Sequence, residues 1–175
     1  MTREDLGKEI YNISHITGEF LLRSRQISNE YFDKYKFESV PALLKPIAQQ
    51  MKDLIPSETE ILAGLEMGGI PLSTALSFET TLPSVFVRKE AKEYGTRKLA
   101  EGVDFKDKKV CIIEDVVTTG GQIIKSAEQL RELGANIDTV LCVIVRDPKS
   151  FDNLKNAGLE LKPLFSMEEL KKLAV

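Results

Sequence analysis

Apolar residues recur along this chain with two different periods, and the switch between them organises it. Over residues 2–17 they fall at near-helical spacing, at Leu6, Ile10, Ile13 and Ile16, which predicts a helix ended by Gly18. Residues 20–22 and 31–32 read as two short strands around a polar turn. A second helix follows over 41–54, with Pro41 in the first turn, where its missing N–H leaves no bond unmade. Beyond it, short apolar runs at 61–65, 84–87, 109–113 and 139–145 predict strands, with helices at 70–77 and 123–133 between them. Gly134 suits the helix C-cap. A last strand around 159–165 leads into a helix opened by Ser166 and Glu169 as a capping box. Strands alternating with helices imply right-handed crossovers, hence an α/β fold with a parallel central sheet flanked by helices.

Composition narrows the class. The 175 residues suit one domain spanning 1–175, and 42% hydrophobic with 29% charged content is ordinary for a globular protein. A net charge of −3 lacks the basic balance of a general nucleic-acid binder. No apolar run approaches the ~20 residues that span a bilayer, and Met1-Thr-Arg-Glu-Asp is too acidic and polar for a secretory signal. A cytoplasmic protein without nucleic-acid or membrane partners is therefore expected. Cys111 and Cys142 both lie in strand-like runs and read as buried small hydrophobes. His15, the single histidine, reads as a helix-end or surface residue, which argues against a metal site or a catalytic triad built on it.

The chemistry concentrates in Val110-Cys-Ile-Ile-Glu-Asp-Val-Val-Thr-Thr-Gly-Gly-Gln122. An apolar strand is followed by two carboxylates at its end, Glu114 and Asp115. A Thr/Gly turn then leads into a helix. The N-terminus of a helix presents unpaired N–H donors and partial positive charge, so such a turn cradles phosphate. The carboxylates suit sugar hydroxyls, or a hydrated Mg²⁺ held mainly by substrate oxygens. Together they describe a pocket for a ribose 5′-phosphate. No Lys follows the glycines, as a P-loop requires, and the acids precede the glycines where a dinucleotide fingerprint has its acid ~20 residues after them.

The segment 88–102 is long, charged and leaves a strand end, where ligands of open α/β sheets bind. Arg88, Lys89 and Lys92 are placed to close over a pyrophosphate, neutralising a leaving group and excluding water. The turn Gly64-Leu-Glu-Met-Gly-Gly-Ile-Pro71 leaves a strand and opens a helix, so its N–H groups are candidates for the same pyrophosphate.

The 110–122 run resembles the phosphoribosyl-pyrophosphate (PRPP) motif of the type I phosphoribosyltransferases. The wider set at 20–24, 31–35, 68–72 and 87–92, together with Arg146 and the segments at 153–161 and 164–170, resembles the orotate phosphoribosyltransferases among them. This resemblance implies the type I fold, with a small N-terminal hood from about residues 1–40 plus the C-terminal segment. It implies PRPP and orotate as substrates and Mg²⁺ as cofactor. By position, Glu114 and Asp115 would hold the ribose hydroxyls, and Val116, Val117, Thr118, Thr119, Gly120, Gly121 and Gln122 would line PRPP and its 5′-phosphate. Arg88, Lys89, Lys92 and Tyr94 would contact the pyrophosphate side, with Lys92, Arg88 and Asp115 carrying catalysis. Thr118, Arg146, Arg23, Tyr31 and Phe32 would hold orotate. The family also implies a homodimer with part of loop 88–102 shared between subunits.

Four positions depart from the family pattern. Tyr94 stands where His is common, Arg25 where Gly is usual, Val145 where Asp is common, and Gly68 where Lys is frequent. Two alternatives stay open at this stage: a type I enzyme for a purine or uracil base, and a regulator that binds PRPP without turnover.

Overall fold

The computed structural model describes residues 1–21, 25–90 and 98–174. Helix α1, Arg3–Ser14, is capped by Thr2, whose hydroxyl accepts from the Asp5 N–H, and buries Leu6 and Ile10 completely. The chain then turns directly into strand β1, His15–Leu21, which pairs antiparallel with β2, Ile27–Phe32. The helix expected over 2–17 therefore stops at Ser14, and Gly18 lies inside β1 rather than at a helix end. Ile16 and Thr17 are β-branched, which favours the pleated conformation, and their pairing with Tyr31 and Glu30 decides the outcome. His15 opens β1, half-buried, stacked on Tyr11 and 2.8 Å from Glu30. The two short strands expected here are thus one longer two-stranded ribbon.

A one-turn helix α2, Tyr35–Glu38, precedes α3, Pro41–Met51, and a 3₁₀ turn at Lys52–Leu54. The alternating part follows: β3 Ile61–Leu65, α4 Gly69–Thr80, β4 Ser84–Val87, β5 Ala100–Gly102, β6 Lys109–Val117, α5 Gly121–Glu132, β7 Asn136–Val145, α6 Lys149–Asn156, β8 Glu160–Ser166 and α7 Met167–Leu173. These strands form one six-stranded sheet in the order β5-β4-β3-β6-β7-β8. All neighbours are parallel except the edge strand β5, which runs antiparallel to β4. Segment 88–102 is therefore not loop throughout, because its last three residues extend the sheet. Strand β6 also outruns its expected end at 113, so Glu114 and Asp115 stand within the strand.

All five residues of β3 are buried, as in a strand covered on both faces. On one face Ala63, Val85, Ile112, Val140, Leu130 and Leu154 form a core under α5 and α6. On the other, Leu62, Ile113 and Leu141 pack with Ile10, Phe37, Ile47 and Leu76 from α1, α2, α3 and α4. Burying two such apolar sets, at about 25 cal/mol per Å² removed from water, is the main source of stability. Helix α7, capped by Ser166, returns to α1, where Arg3 pairs with Glu169 and lies 4.4 Å over the Phe165 ring. Among the described residues no helix is long and apolar enough to cross a membrane.

Candidate active site

The carboxyl ends of β3, β4, β6 and β7 bring the chemistry-bearing segments to one edge of the sheet, where open α/β folds bind ligands. Strand β6 ends at Val117, and the exposed Thr118 and Thr119 lead into α5. Gly120 takes φ +82, a left-handed conformation that most side chains resist, and a Cβ there would also meet Leu154 at 3.1 Å. No side chain caps α5, so its first N–H groups have no acceptor from an N-cap side chain. Unpaired N–H groups at a helix start, with exposed threonine hydroxyls before them, make an anion cradle. The turn is braced from α6, because Asn153 Nδ2 donates to the Thr119 carbonyl at 3.0 Å. Gln122 sits exposed on the first turn of α5 and lies 3.4 Å from Ser126 Oγ, so its side chain lies along the helix.

Beside this turn lies a cluster of charges on the core face of β6. Asp115 is fully buried, with Oδ1 accepting from the Val116 N–H and Oδ2 2.6 Å from Lys34 Nζ. Glu38, 6% exposed, stands against the same carboxylate. Burial alone would raise the Asp115 pKa, but hydrogen bonds from Glu114, Glu38 and Lys34 outweigh it and hold the carboxyl below its ordinary value. Burial and then the Asp115 carboxylate push Glu38 up to about 9. The same two causes, in the same order, raise Glu114 well above the usual carboxylate range. Burial disfavours the Lys34 charge, yet its bond to Asp115 prevails and raises its pKa. At neutral pH the cluster therefore reads as ionised Asp115, charged Lys34 and protonated Glu38.

The β3–α4 turn closes over this cluster. An added Cβ at Gly68 would fall 1.7 Å from Asp115 Oδ2 and 2.8 Å from Glu38 Oε1. At Gly69 it would fall 2.2 Å from the Ile113 carbonyl, so the turn presses on β6 at both glycines. Within the turn the Glu66–Met67 peptide is cis. Glu66 Oε1 accepts from the Lys89 N–H at 2.7 Å, tying the turn to the segment that leaves β4. Arg88, half-buried, donates its N–H to the Leu99 carbonyl and lies 3.9 Å from Glu101 through Nε. Arg146 is exposed just past β7, its N–H bonded to the Val117 carbonyl at 2.8 Å.

The structure thus gathers Glu114, Asp115, the 116–122 segment and the Arg146 backbone at one place, with Arg88 and Lys89 linked to it through Glu66. Tyr31 is exposed and tilted against Phe20, whereas Phe32 is buried against Tyr11 and stands opposite His15 in the β1–β2 ribbon. Arg23, Lys92 and Tyr94 lie outside the described residues. Arg25, in the place where Gly is usual, takes φ +65. Val145 is buried at the end of β7. Sequence reading missed Lys34, Glu38 and Asn153. The first two sit on and beside a single helical turn with no periodic signal, and their partner Asp115 is remote in sequence.

Mg²⁺ is ordinarily bound through one or two carboxylates together with substrate phosphates and water. Asp115 is the ionised member of the adjacent acids, and Glu114 would join it on losing its proton to a bound cation; among the described residues no group of three or more potential ligands stands together. A cavity of about 990 Å³ lies at the opposite end of the sheet, between Ser57, Asp138 and Glu160, and shares no residue with the 110–122 run.

The family model of the phosphoribosyl transferase domain matches residues 36–160. An orotate phosphoribosyltransferase of Nocardioides sp. is 47% identical over 94% of this chain and 92% of its own length. That of Methanocella arvoryzae is 41% identical over 87% of each. In fold, the chain superposes with a TM-score of 0.86 on the crystal structure of Mycobacterium tuberculosis orotate phosphoribosyltransferase in complex with inorganic phosphate. That match covers 97% of this chain and 98% of the other at 21% identity. With four-fifths or more of its length shared with such relatives, and with the family model matching residues 36–160, the chain belongs to the phosphoribosyltransferase family, in its orotate phosphoribosyltransferase branch.

Proposed function

We propose that the protein transfers the 5-phosphoribosyl group of PRPP to orotate, giving orotidine 5′-phosphate and pyrophosphate in pyrimidine biosynthesis. The observation that carries this reading is the buried, ionised Asp115 beside an exposed Thr118–Thr119 turn at the uncapped start of α5. In this assignment the turn and the first N–H groups of α5 take the 5′-phosphate, and Glu114 and Asp115 take the ribose hydroxyls. Arg88, Lys89 and Lys92, with Tyr94, face the pyrophosphate. Arg146, Thr118, Arg23 and the backbone of Tyr31 and Phe32 face orotate, under a hood formed by the β1–β2 ribbon.

The bond that breaks joins the anomeric carbon to pyrophosphate, and the bond that forms joins that carbon to the orotate ring nitrogen. The nitrogen is acidic enough to arrive as an anion, so no strong protein base is needed. Positioning and charge stabilisation at the leaving group supply the acceleration. Mg²⁺, when bound with PRPP, supplies positive charge at its pyrophosphate oxygens. We place the enzyme in the cytoplasm, as a homodimer in which part of segment 88–102 serves the neighbouring subunit.

Purified protein with PRPP and Mg²⁺, offered orotate, uracil, hypoxanthine and adenine separately, tests this directly. Pyrophosphate release is expected with orotate alone. Release with another base, or PRPP binding without release, overturns it.

A further inference from the structure

Among the described residues Lys34 is the cation paired with the carboxylate at the centre of this site, yet it comes from neither the β4–β6 segment nor the 110–122 run. It directly precedes α2 and reaches β6 from outside the sheet, with Nζ 2.6 Å from Asp115 Oδ2 and 5.3 Å from the centroid of the Tyr35 ring. Its side chain remains 34% exposed, while the carboxylate it meets is 0% exposed. The ammonium therefore stands at the boundary between the buried acids and the open edge where ligand arrives.

The β3–α4 turn bears on the same spot. In this arrangement the first carbon of a side chain at position 68 would fall on Asp115 and crowd Glu38, so those side chains would have to move. The turn therefore offers backbone at this point, and the charge beside it comes from Lys34. Asp115 and Lys34 are ion-paired at 2.6 Å, each the other's counter-charge. When the hydroxyls of a ribose donate to the Asp115 oxygens, Lys34 keeps its charge and loses part of its partner's attention. An anion next to the Gly68 turn then restores the balance.

We propose that Lys34 is a substrate-contacting residue, binding the diphosphate group that lies between the ribose and the β3–α4 turn. This rests on the assignment of the site to PRPP, but not on which base accepts the ribosyl group.

The test uses inorganic pyrophosphate with Mg²⁺ as the probe, in titration calorimetry on the intact protein, beside steady-state kinetics. Lys34→Met keeps the apolar stem and removes the charge, and Lys34→Arg keeps the charge. Thermal denaturation of each variant establishes that it is folded, and Lys34→Gln replaces Lys34→Met if the latter is not. The expected result is at least tenfold weaker pyrophosphate binding in Lys34→Met, a raised KM for PRPP, and recovery of most affinity in Lys34→Arg. A loss is still expected when Lys34→Met is added to Asp115→Asn, its size altered by the contact between the two side chains but not abolished. Unchanged pyrophosphate affinity in Lys34→Met overturns the proposal. So does a loss that vanishes in the Asp115→Asn background, since Lys34 would then act only by holding Asp115. If the wild type releases pyrophosphate with a base other than orotate, the functional reading fails and the Lys34 result still stands.

Discussion

Glu38 holds a proton at neutral pH that the unfolded chain would release, because burial and the Asp115 carboxylate raise it from 4.5 to about 9. Between those two values the native state binds more protons than the unfolded state, so this group's contribution to stability falls as pH rises. The contribution is fully present below the unfolded value and is lost by the time pH passes the folded one. Its limiting slope is about 1.4 kcal/mol per pH unit. Glu38→Gln keeps a neutral hydrogen-bond donor of nearly the same shape and removes the titration. Denaturant unfolding followed between about pH 5 and pH 9 should therefore show a flatter decline for Glu38→Gln than for the wild type. Parallel profiles would mean that Glu38 is ionised in the fold. The residue went unnoticed in the sequence for a physical reason: nothing local to Tyr35–Glu38 announces that its last carboxyl will be driven against Asp115 by the folding of β6. By contrast, Glu114 and Asp115 were legible at once, since their chemistry is carried by immediate neighbours in the chain.

At the scale of elements, the readings that held are those set by local pattern. The apolar runs of β3, β4 and β7 and the capping of α7 by Ser166 need little beyond adjacent residues. Those that failed were decided by partners. Ile13 and Ile16 continue a helical spacing, but Ile16 is claimed by pairing with Tyr31. Ala100–Gly102 has no apolar alternation and becomes β5 only because the edge of β4 is open to it. Helix α6 follows Pro148 in a mostly polar stretch, anchored by the buried Leu154. The β1–β2 ribbon adds a case where sequence signalled trouble correctly. Arg25 replaces a usual Gly and takes φ +65, a region that costs an L-residue roughly 1–2 kcal/mol. Glycine removes that strain but adds chain entropy to the unfolded state, roughly 0.5–1 kcal/mol. Arg25→Gly should therefore stabilise the protein by about 0.5 kcal/mol, the difference between those two costs. That gain is measurable as a higher midpoint in chemical denaturation with unchanged slope. A clear loss of stability would show that the arginine side chain makes contacts worth more than the backbone strain.

For the whole molecule, the open question is where the cations of segment 88–102 act. Arg88 and Lys89 are bound to their own sheet through Leu99 and Glu66, whereas Lys92 lies further along the same segment, past the last residue so tied. If that part of the segment serves a neighbouring subunit, a complete site needs Asp115 from one chain and Lys92 from the other. Lys92→Ala homodimers and Asp115→Asn homodimers are each then inactive, since every site carries one defect. In a mixed two-fold dimer the defects sort differently. One site receives both, and the other pairs a sound Asp115 with a sound Lys92. Random assortment makes half the dimers mixed, with one of two sites intact, so activity should recover to about a quarter of the wild-type level. A segment that serves its own chain allows no such sorting, because each site of the mixed dimer still holds one defect. Co-refolding the two variants, confirming mixed dimers by differently tagged chains, and measuring pyrophosphate release distinguishes the two arrangements. Recovery near a quarter establishes a shared site, and activity no higher than in the separate variants places Lys92 in the site of its own subunit.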